Sequence, residues 1–200
     1  MQLIVATRNA HKTREIQRIL GPAFTVSDLS AHPKIPDVRE NGKSFEENAI
    51  LKAIGTSGLL PGLVVADDSG LEVDALGSVP GIFSARYAGE NATDKENIEK
   101  LLGEVARKKT DETNRLARFR CVIALARQGK LLETFEGIVE GTIVEQARGL
   151  HGFGYDPIFV PRGFEETFAE LPAEVKNTIS HRAKAIRRLT AKLAALKTAD

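Results

Sequence analysis

Apolar residues fall in short runs separated by polar, glycine- or proline-bearing turns, and the period within each run predicts an element. Residues 2–6 form an apolar run of strand length that begins almost at Met1. After Thr7-Arg8-Asn9-Ala10-His11-Lys12, helical spacing is taken up by Ile16, Ile19 and Leu20 and stopped by Gly21-Pro22. Residues 24–29 predict a second strand, and residues 31–43 a polar, proline-bearing loop that contains Glu40. Ser44 with Glu47 three positions on is a capping box, opening a helix whose inward stripe is Ala49, Ile50, Ala53 and Ile54. Residues 63–66 read as a buried strand that ends abruptly on Asp67-Asp68-Ser69-Gly70.

A turn-rich segment with Pro80 covers 77–81 and leads to Ser84-Ala85-Arg86-Tyr87. A second capping box, Thr93-Asp94-Lys95-Glu96, opens a helix through Ile98, Leu101, Leu102 and Val105. Residues 107–114 form a charged connector. Ala117, Phe119, Cys121, Ile123 and Leu125 alternate with Arg118, Arg120 and Val122, which is strand periodicity. Gln128-Gly129 closes a hairpin, and 131–144 carries one or two more strands. Strands joined by so short a turn are antiparallel, so the sheet is mixed and the fold class α/β. The run from Gly149 to Pro157 is rich in glycine and aromatics and precedes the apolar stretch 158–160. A last helix is predicted from the steps Ile179, Ala183, Ile186, Leu189, Leu193 and Leu196.

Composition narrows the function class more than the fold. Two hundred residues with a formal charge of +1 give no electrostatic footprint for nucleic acid or a membrane surface. The lone Cys121 cannot close an intramolecular disulfide, which predicts a reduced, cytoplasmic setting. There is no basic leader before the first strand, and no apolar run nears the ~20 residues that cross a bilayer. The expectation is one soluble domain spanning residues 1–200.

Four features carry candidate chemistry. Strand, polar turn and helix at 2–20 aim backbone N–H groups at an anion, and Arg8 and Lys12 add cations at a helix end whose dipole disfavours them. Lys176, His181 and Arg182 repeat that arrangement before the last helix. Asp67 and Asp68 at a strand end offer the clustered oxygens that Mg²⁺ takes, with Glu40 as a further ligand candidate. Gly152-Phe153-Gly154-Tyr155 can bring a planar ring close to backbone, with an aromatic as stacking face. Taken singly, each has a plainer reading as a capped turn, a solvated basic helix end, a polar turn or core aromatics. Together they describe a site for a nucleotide polyphosphate with Mg²⁺, while no Cys/His cluster suits zinc and no Gly-x-Ser-x-Gly elbow is present.

The chain resembles the inosine/xanthosine triphosphate pyrophosphatase family. The matching segments are A-T-R-N-A-H-K (6–12), S-F-E-E-N-A-I-L-K-A (44–53), A-D-D-S-G-L-E-V-D-A-L (66–76), P-G-I-F-S-A-R-Y-A-G (80–89), G-F-G-Y-D-P-I-F (152–159), and F-A-E-L through K-N-T-I-S-H-R-A (168–183). They occur in the family's order from end to end. The resemblance implies an elongated mixed sheet flanked by helices, two lobes with a central cleft, and a homodimer. It implies Mg²⁺-dependent hydrolysis of ITP, dITP and XTP to the monophosphate and pyrophosphate. Thr7, Arg8, Asn9, Ala10, His11 and Lys12 would hold the phosphates. Asp68 would be the catalytic carboxylate and a metal ligand, supported by Glu40 and Asp67. Ser69 would touch substrate, and Phe153, Gly154, Tyr155, Asp156, Lys176, His181 and Arg182 would enclose the base. A Maf-like pyrophosphatase for other nucleotides and a non-catalytic nucleotide-binding protein are the rival readings.

Overall fold

In the computed structural model, residues 1–108 and 115–197 are described; of the connector read over 107–114, all but Arg107 and Lys108 lie outside them. The chain divides into two compact units. The first is Met1–Asp68, Cys121–Gly137 and His181–Asp200, and the second is Ser69–Arg120 and Ile138–Ser180. Each has its own apolar core.

The first unit begins as a strand–helix–strand repeat. Strand β1 (Gln2–Val5) is followed by α1 (Ala10–Leu20) and by β2 (Thr25–Asp28), which lies parallel to β1 with Leu3 opposite Val26. Helix α2 (Phe45–Ser57) then leads to β3 (Leu63–Val73), whose start is parallel to β1, with Ile4 opposite Val64. The last helix of the chain, His181–Lys197, packs against α1. Leu3, Val5, Ile16, Val65, Ile123, Leu125, Ile186 and Leu189 share one buried cluster, so the predicted apolar stripes of both helices meet the strands.

In the second unit the end of β3 pairs antiparallel with β4 (Val79–Pro80), Glu72 opposite Pro80. Helix α3 (Asp94–Arg107) begins at the Thr93 capping box, with both reciprocal bonds formed. Strand β5 (Leu116–Arg127), which belongs to the first unit from Cys121 on, turns there at Gln128-Gly129, both at positive φ, into β6 (Lys130–Ile143). Positive φ at both central residues is the hairpin geometry that matches strand twist. β6 pairs antiparallel with β7 (Phe159–Pro161). The Phe119 ring lies edge-on to Phe159 at 4.8 Å within the core formed with Ile98, Leu101, Phe168 and Leu171. Among the described residues the strand order is β2-β1-β3-β5-β6-β7, with β4 beside β3, and parallel and antiparallel pairs coexist as expected.

Two boundaries differ from the sequence expectation. β3 does not stop at Ala66 but runs on through Asp67, Asp68 and Gly70 to Val73. Leu71 and Val73 restore apolar burial beyond the polar stretch, and the two aspartates are themselves buried. The segment 131–144, read as one or two strands, is one long strand, as that reading allowed. The last helical stretch is two helices, α4 (Ala173–Ile179) and α5 (His181–Lys197), separated by Ser180 in an extended conformation (ψ 161°).

That break sets where α5 begins, and its first turn lies against Gly137 of β6. A Cβ on Gly137 would stand 2.0 Å from the His181 carbonyl oxygen and 2.6 Å from the Ala185 nitrogen. Glycine in a strand marks such a close backbone approach. Gly137→Ala is expected to cost about 2–3 kcal/mol through overpacking, read as a lower urea midpoint at unchanged slope.

Candidate active site

Successive strand residues leave opposite sides of the sheet, and the two aspartates of β3 have separate sets of partners. The Asp67 carboxylate is paired with Lys12, the third residue of α1. On its other oxygen, Oδ2, it accepts from Arg182 Nε at 3.0 Å and from Cys121 Sγ at 3.0 Å. Arg182, the second residue of α5, also pairs through Nη1 with Glu15 of α1. Asp67 and Arg182 are almost wholly enclosed, with side chains 1% and 2% exposed.

Asp68 looks to α2. Its Oδ1 accepts from Lys52 Nζ at 2.9 Å and its Oδ2 from Asn48 Nδ2 at 3.3 Å. Lys52 Nζ also donates to the Asp67 backbone carbonyl at 2.9 Å and to Glu40 Oε2 at 3.1 Å. Asn48 and Lys52 are four residues apart, so they share one face of α2, and both are buried. Asn48 Oδ1 accepts from Gly42 N at 2.9 Å, which ties the loop bearing Glu40 to the same helix.

The turn 7–12 has the local form its sequence predicts. Asn9 caps α1, its Oδ1 accepting from the His11 and Lys12 nitrogens at 2.9 and 3.3 Å, and Thr7 Oγ1 accepts from Asn9 N at 3.1 Å. Ala10 and His11 are exposed beside them. Arg8 is engaged otherwise: it donates to the Leu29 and Ile35 carbonyls at 2.6 and 2.7 Å and to Asp37 at 2.9 Å, bracing the segment after β2. Ser69 is half-buried next to Asp68, and His181 is buried as the first residue of α5.

The glycine–aromatic loop lies in the second unit. Asp156 Oδ2 accepts from Phe153 N at 2.9 Å and from Lys176 Nζ at 2.5 Å. The Lys176 ammonium stands 5.1 Å from the Phe153 ring centroid and 5.7 Å from that of Phe168, a cation–π arrangement. A Cβ on Gly152, at φ +76°, would fall 2.1 Å from Asp156 Oδ2, so the loop closes over Asp156 only with glycine there. Gly154 N donates to Asp94 Oδ2 at 2.6 Å and Tyr155 Oη to the Ser84 carbonyl at 3.0 Å. Phe153, Gly154, Tyr155, Asp156 and Lys176 are thus brought together.

The electrostatics of the two aspartates diverge. Burial pushes the Asp67 carboxyl up, but Arg182 and Lys12 outweigh it and hold the group well below the usual carboxylate range. Burial dominates at Asp68: opposed by Lys52 and Lys12 and reinforced by Glu40, it lifts the carboxyl to about 6. Lys52 is raised, because Asp68 and Glu40 overcome its desolvation. Burial and the Asp67 charge keep the Cys121 thiol protonated, so it serves as a neutral donor. Charge counting gives the same division. By direct ion pairs Asp67 and Glu15 balance Lys12 and Arg182, whereas Asp68 and Glu40 share Lys52, with Lys12 acting on them only at longer range.

Residues 3–192 match the family model described as the Ham1 family. The chain belongs to the Ham1 family. It is 46% identical over 190 residues to a dITP/XTP pyrophosphatase of Bacillus subtilis, covering 94% of this chain and 95% of that one. It is 49% identical over 186 residues to a dITP/XTP pyrophosphatase of Geobacter sulfurreducens, covering 92% of each. The solved structure of a HAM1 protein from Coxiella burnetii superposes with a TM-score of 0.86 at 39% identity, over 98% of this chain and 99% of that one.

Four side chains of this candidate site escaped the sequence reading: Glu15, Asn48, Lys52 and Cys121. One signal was present for the α2 pair. Asn48, Lys52 and Thr56 run at four-residue spacing beside Ala49 and Ala53, a polar row on a buried face. Glu15 and Cys121 gave no local signal, since each is defined by a partner far along the chain.

The raised Asp68 carboxyl has a pH signature. Its ordinary value is 3.8 and its folded value about 6, so the folded chain binds this proton more tightly than the unfolded one. The resulting stabilisation is present below the unfolded value and is lost as pH rises from about 4 through 6. Asp67 has the opposite sign: its contribution is present above 3.8 and lost as pH falls. In metal-free buffer, Asp68→Asn is expected to gain on the wild type by roughly 2–3 kcal/mol between pH 4 and 7. Urea unfolding of both proteins across that range measures it, and a pH-independent difference would contradict the assignment.

Proposed function

We propose that this protein is a nucleoside triphosphate pyrophosphohydrolase that converts ITP, dITP and XTP to the monophosphate and pyrophosphate with Mg²⁺. The supporting observation is that, by direct ion pairs, Asp68 and Glu40 share Lys52, against a balanced Asp67 group. Among the described residues no set of three or more His, Cys, Asp and Glu side chains is arranged to hold a metal. Mg²⁺ does not require one: one or two carboxylates suffice when substrate phosphates and water complete its shell. Asp68 and Glu40 fit that role by charge and proximity, both oxygens lying on the same ammonium. When bound, the ion neutralises phosphate charge during phosphoryl transfer.

The chain's own groups account for the rest. In the metal-free protein the Asp68 carboxyl, lifted to about 6, is mostly ionised at neutral pH, and a bound Mg²⁺ would favour the ionised form further. Asp68 accepts the proton of a water whose oxygen attacks the α-phosphorus; the bond from that phosphorus to the α,β-bridging oxygen breaks, and pyrophosphate leaves. Lys12 and Lys52 offset the negative charge of the triphosphate, and the Asn9-capped start of α1 offers backbone N–H groups to its oxygens. Asn48 and Lys52 hold the Asp68 carboxylate in position. The Phe153 ring supplies a stacking face for the purine, set by Asp156 and Lys176. Ser69, His181 and Arg182 are substrate-binding in this reading. Rejection of ATP follows if donors face the 6-oxo group, because adenine would leave them unpaired. The same reading makes the protein a cytoplasmic homodimer acting on small triphosphates rather than nucleic acid. The names of its relatives support the small-triphosphate part of that reading.

Incubation with ITP and Mg²⁺, followed by separation of nucleotides and phosphates, is expected to give IMP and pyrophosphate, with ATP turned over far more slowly. Asp68→Asn should lower kcat on the order of 10²–10⁴-fold. IDP with inorganic phosphate would place the attack at the γ-phosphorus and overturn the mechanism.

A further inference from the structure

Asp67 stands out as the polar residue on which most of the first unit's elements converge. Its carboxylate takes Lys12 from α1, Arg182 from α5 and the Cys121 thiol from β5, and its backbone carbonyl takes Lys52 from α2. Lys12 and Arg182 each sit in the first turn of their helix, where the helix dipole opposes a cation. An enclosed carboxylate touching both offsets that cost. Glu15 closes the arrangement by pairing with Arg182 from the same helix that carries Lys12.

Both Asp67 oxygens are thereby engaged: one by the Lys12 ammonium, the other by a guanidinium and a thiol. A divalent ion at Asp67 would have to expel a cation from a group already balanced in charge. At Asp68 and Glu40 it would meet two carboxylates that share Lys52.

We propose that Asp67 is a positioning residue, which fixes Lys12 for the triphosphate and locks the starts of α1 and α5 together, and that it is not a metal ligand. The inference rests on the pyrophosphohydrolase reading for the identity of the anion. It makes Cys121 a structural donor whose thiol orients Asp67, and Glu15 the partner that keeps Arg182 in place.

The test separates anion from metal. Steady-state kinetics with ITP over a range of Mg²⁺ concentrations would compare wild type, Asp67→Asn and Glu40→Gln. Asp67→Asn should raise KM for ITP at least ~10-fold, consistent with loss of a charge-assisted contact, while half-saturating Mg²⁺ stays within about twofold of wild type. Glu40→Gln should instead raise the Mg²⁺ requirement. Calorimetric titration with pyrophosphate in Mg²⁺-free buffer supplies a readout without turnover. Asp67→Asn should weaken binding by about 10-fold or more, the order expected for a displaced cation. A raised Mg²⁺ requirement with unchanged pyrophosphate binding would make Asp67 a metal ligand and overturn the proposal. If Asp67→Asn does not fold, Asp67→Glu keeps the charge but displaces it by one methylene. The same split between anion and metal is then expected, and wild-type pyrophosphate binding in Asp67→Glu would overturn the proposal. Failure of the wild type to release pyrophosphate from ITP would remove the functional reading, while the binding comparison would still decide the role of Asp67.

Discussion

Two neighbouring carboxylates are buried in the middle of a strand, and the first unit is arranged to make that tolerable. Taking an ion out of water costs several kcal/mol even after relaxation, and the loss is recovered only by close, well-oriented partners. Because strand side chains alternate, the two aspartates cannot share one set of partners. Asp67 is answered from α1, α5 and β5, and Asp68 from α2 and the loop before it. The elements that bring these cations are also the ones whose apolar stripes build the core, so packing and charge compensation specify the same arrangement.

Compensation differs between the two sides, and the difference is chemical. Asp67 is satisfied, so its carboxyl is held far down and its charge is permanent. Asp68 shares one lysine with Glu40 and is lifted to about 6. A permanently paired carboxylate can only organise its neighbours, whereas a half-compensated one can still take up a proton or a cation. One dipeptide therefore holds a fully paired carboxylate beside a partly compensated one, because opposite faces of the strand meet different numbers of cations.

What was legible in the sequence was local. The Thr93 capping box, the Asn9-capped turn, the Gln128-Gly129 hairpin and the stripe from Ile186 to Leu193 depend on residues within a few positions of one another, and each formed as read. The misread boundaries depend on distant contacts. A polar run such as Asp67-Asp68-Ser69-Gly70 ends a strand when solvent is its only partner. Here Arg182, 115 residues away, and Lys52, 15 residues away, replace the solvent and the strand continues. The break at Ser180 was hidden because Ile179 and Ala183 keep helical spacing across it, although one extended residue interrupts the hydrogen bonding. The candidate site was legible as residue types, and the resemblance supplied the grouping. The division of labour between Asp67 and Asp68 was not legible, since it rests on which cations arrive from elsewhere.

The same asymmetry separates an enzyme from a protein that merely binds nucleotides. For binding alone, an enclosed carboxylate raised to about 6 is a liability: it carries unfavourable charge at neutral pH and would repel an anionic ligand. Asparagine at position 68 would keep a hydrogen-bonding amide beside Asn48 without that penalty, and Lys52 would remain paired with Glu40. Strain of this kind persists where function uses it, because stability is otherwise easily gained by removing it. A carboxylate that is costly to the fold, close to a lysine and able to change protonation just below neutral pH suits the proposed role in hydrolysis. Its neighbour Asp67, equally buried and fully paired, shows that this fold is able to compensate a carboxylate at that depth.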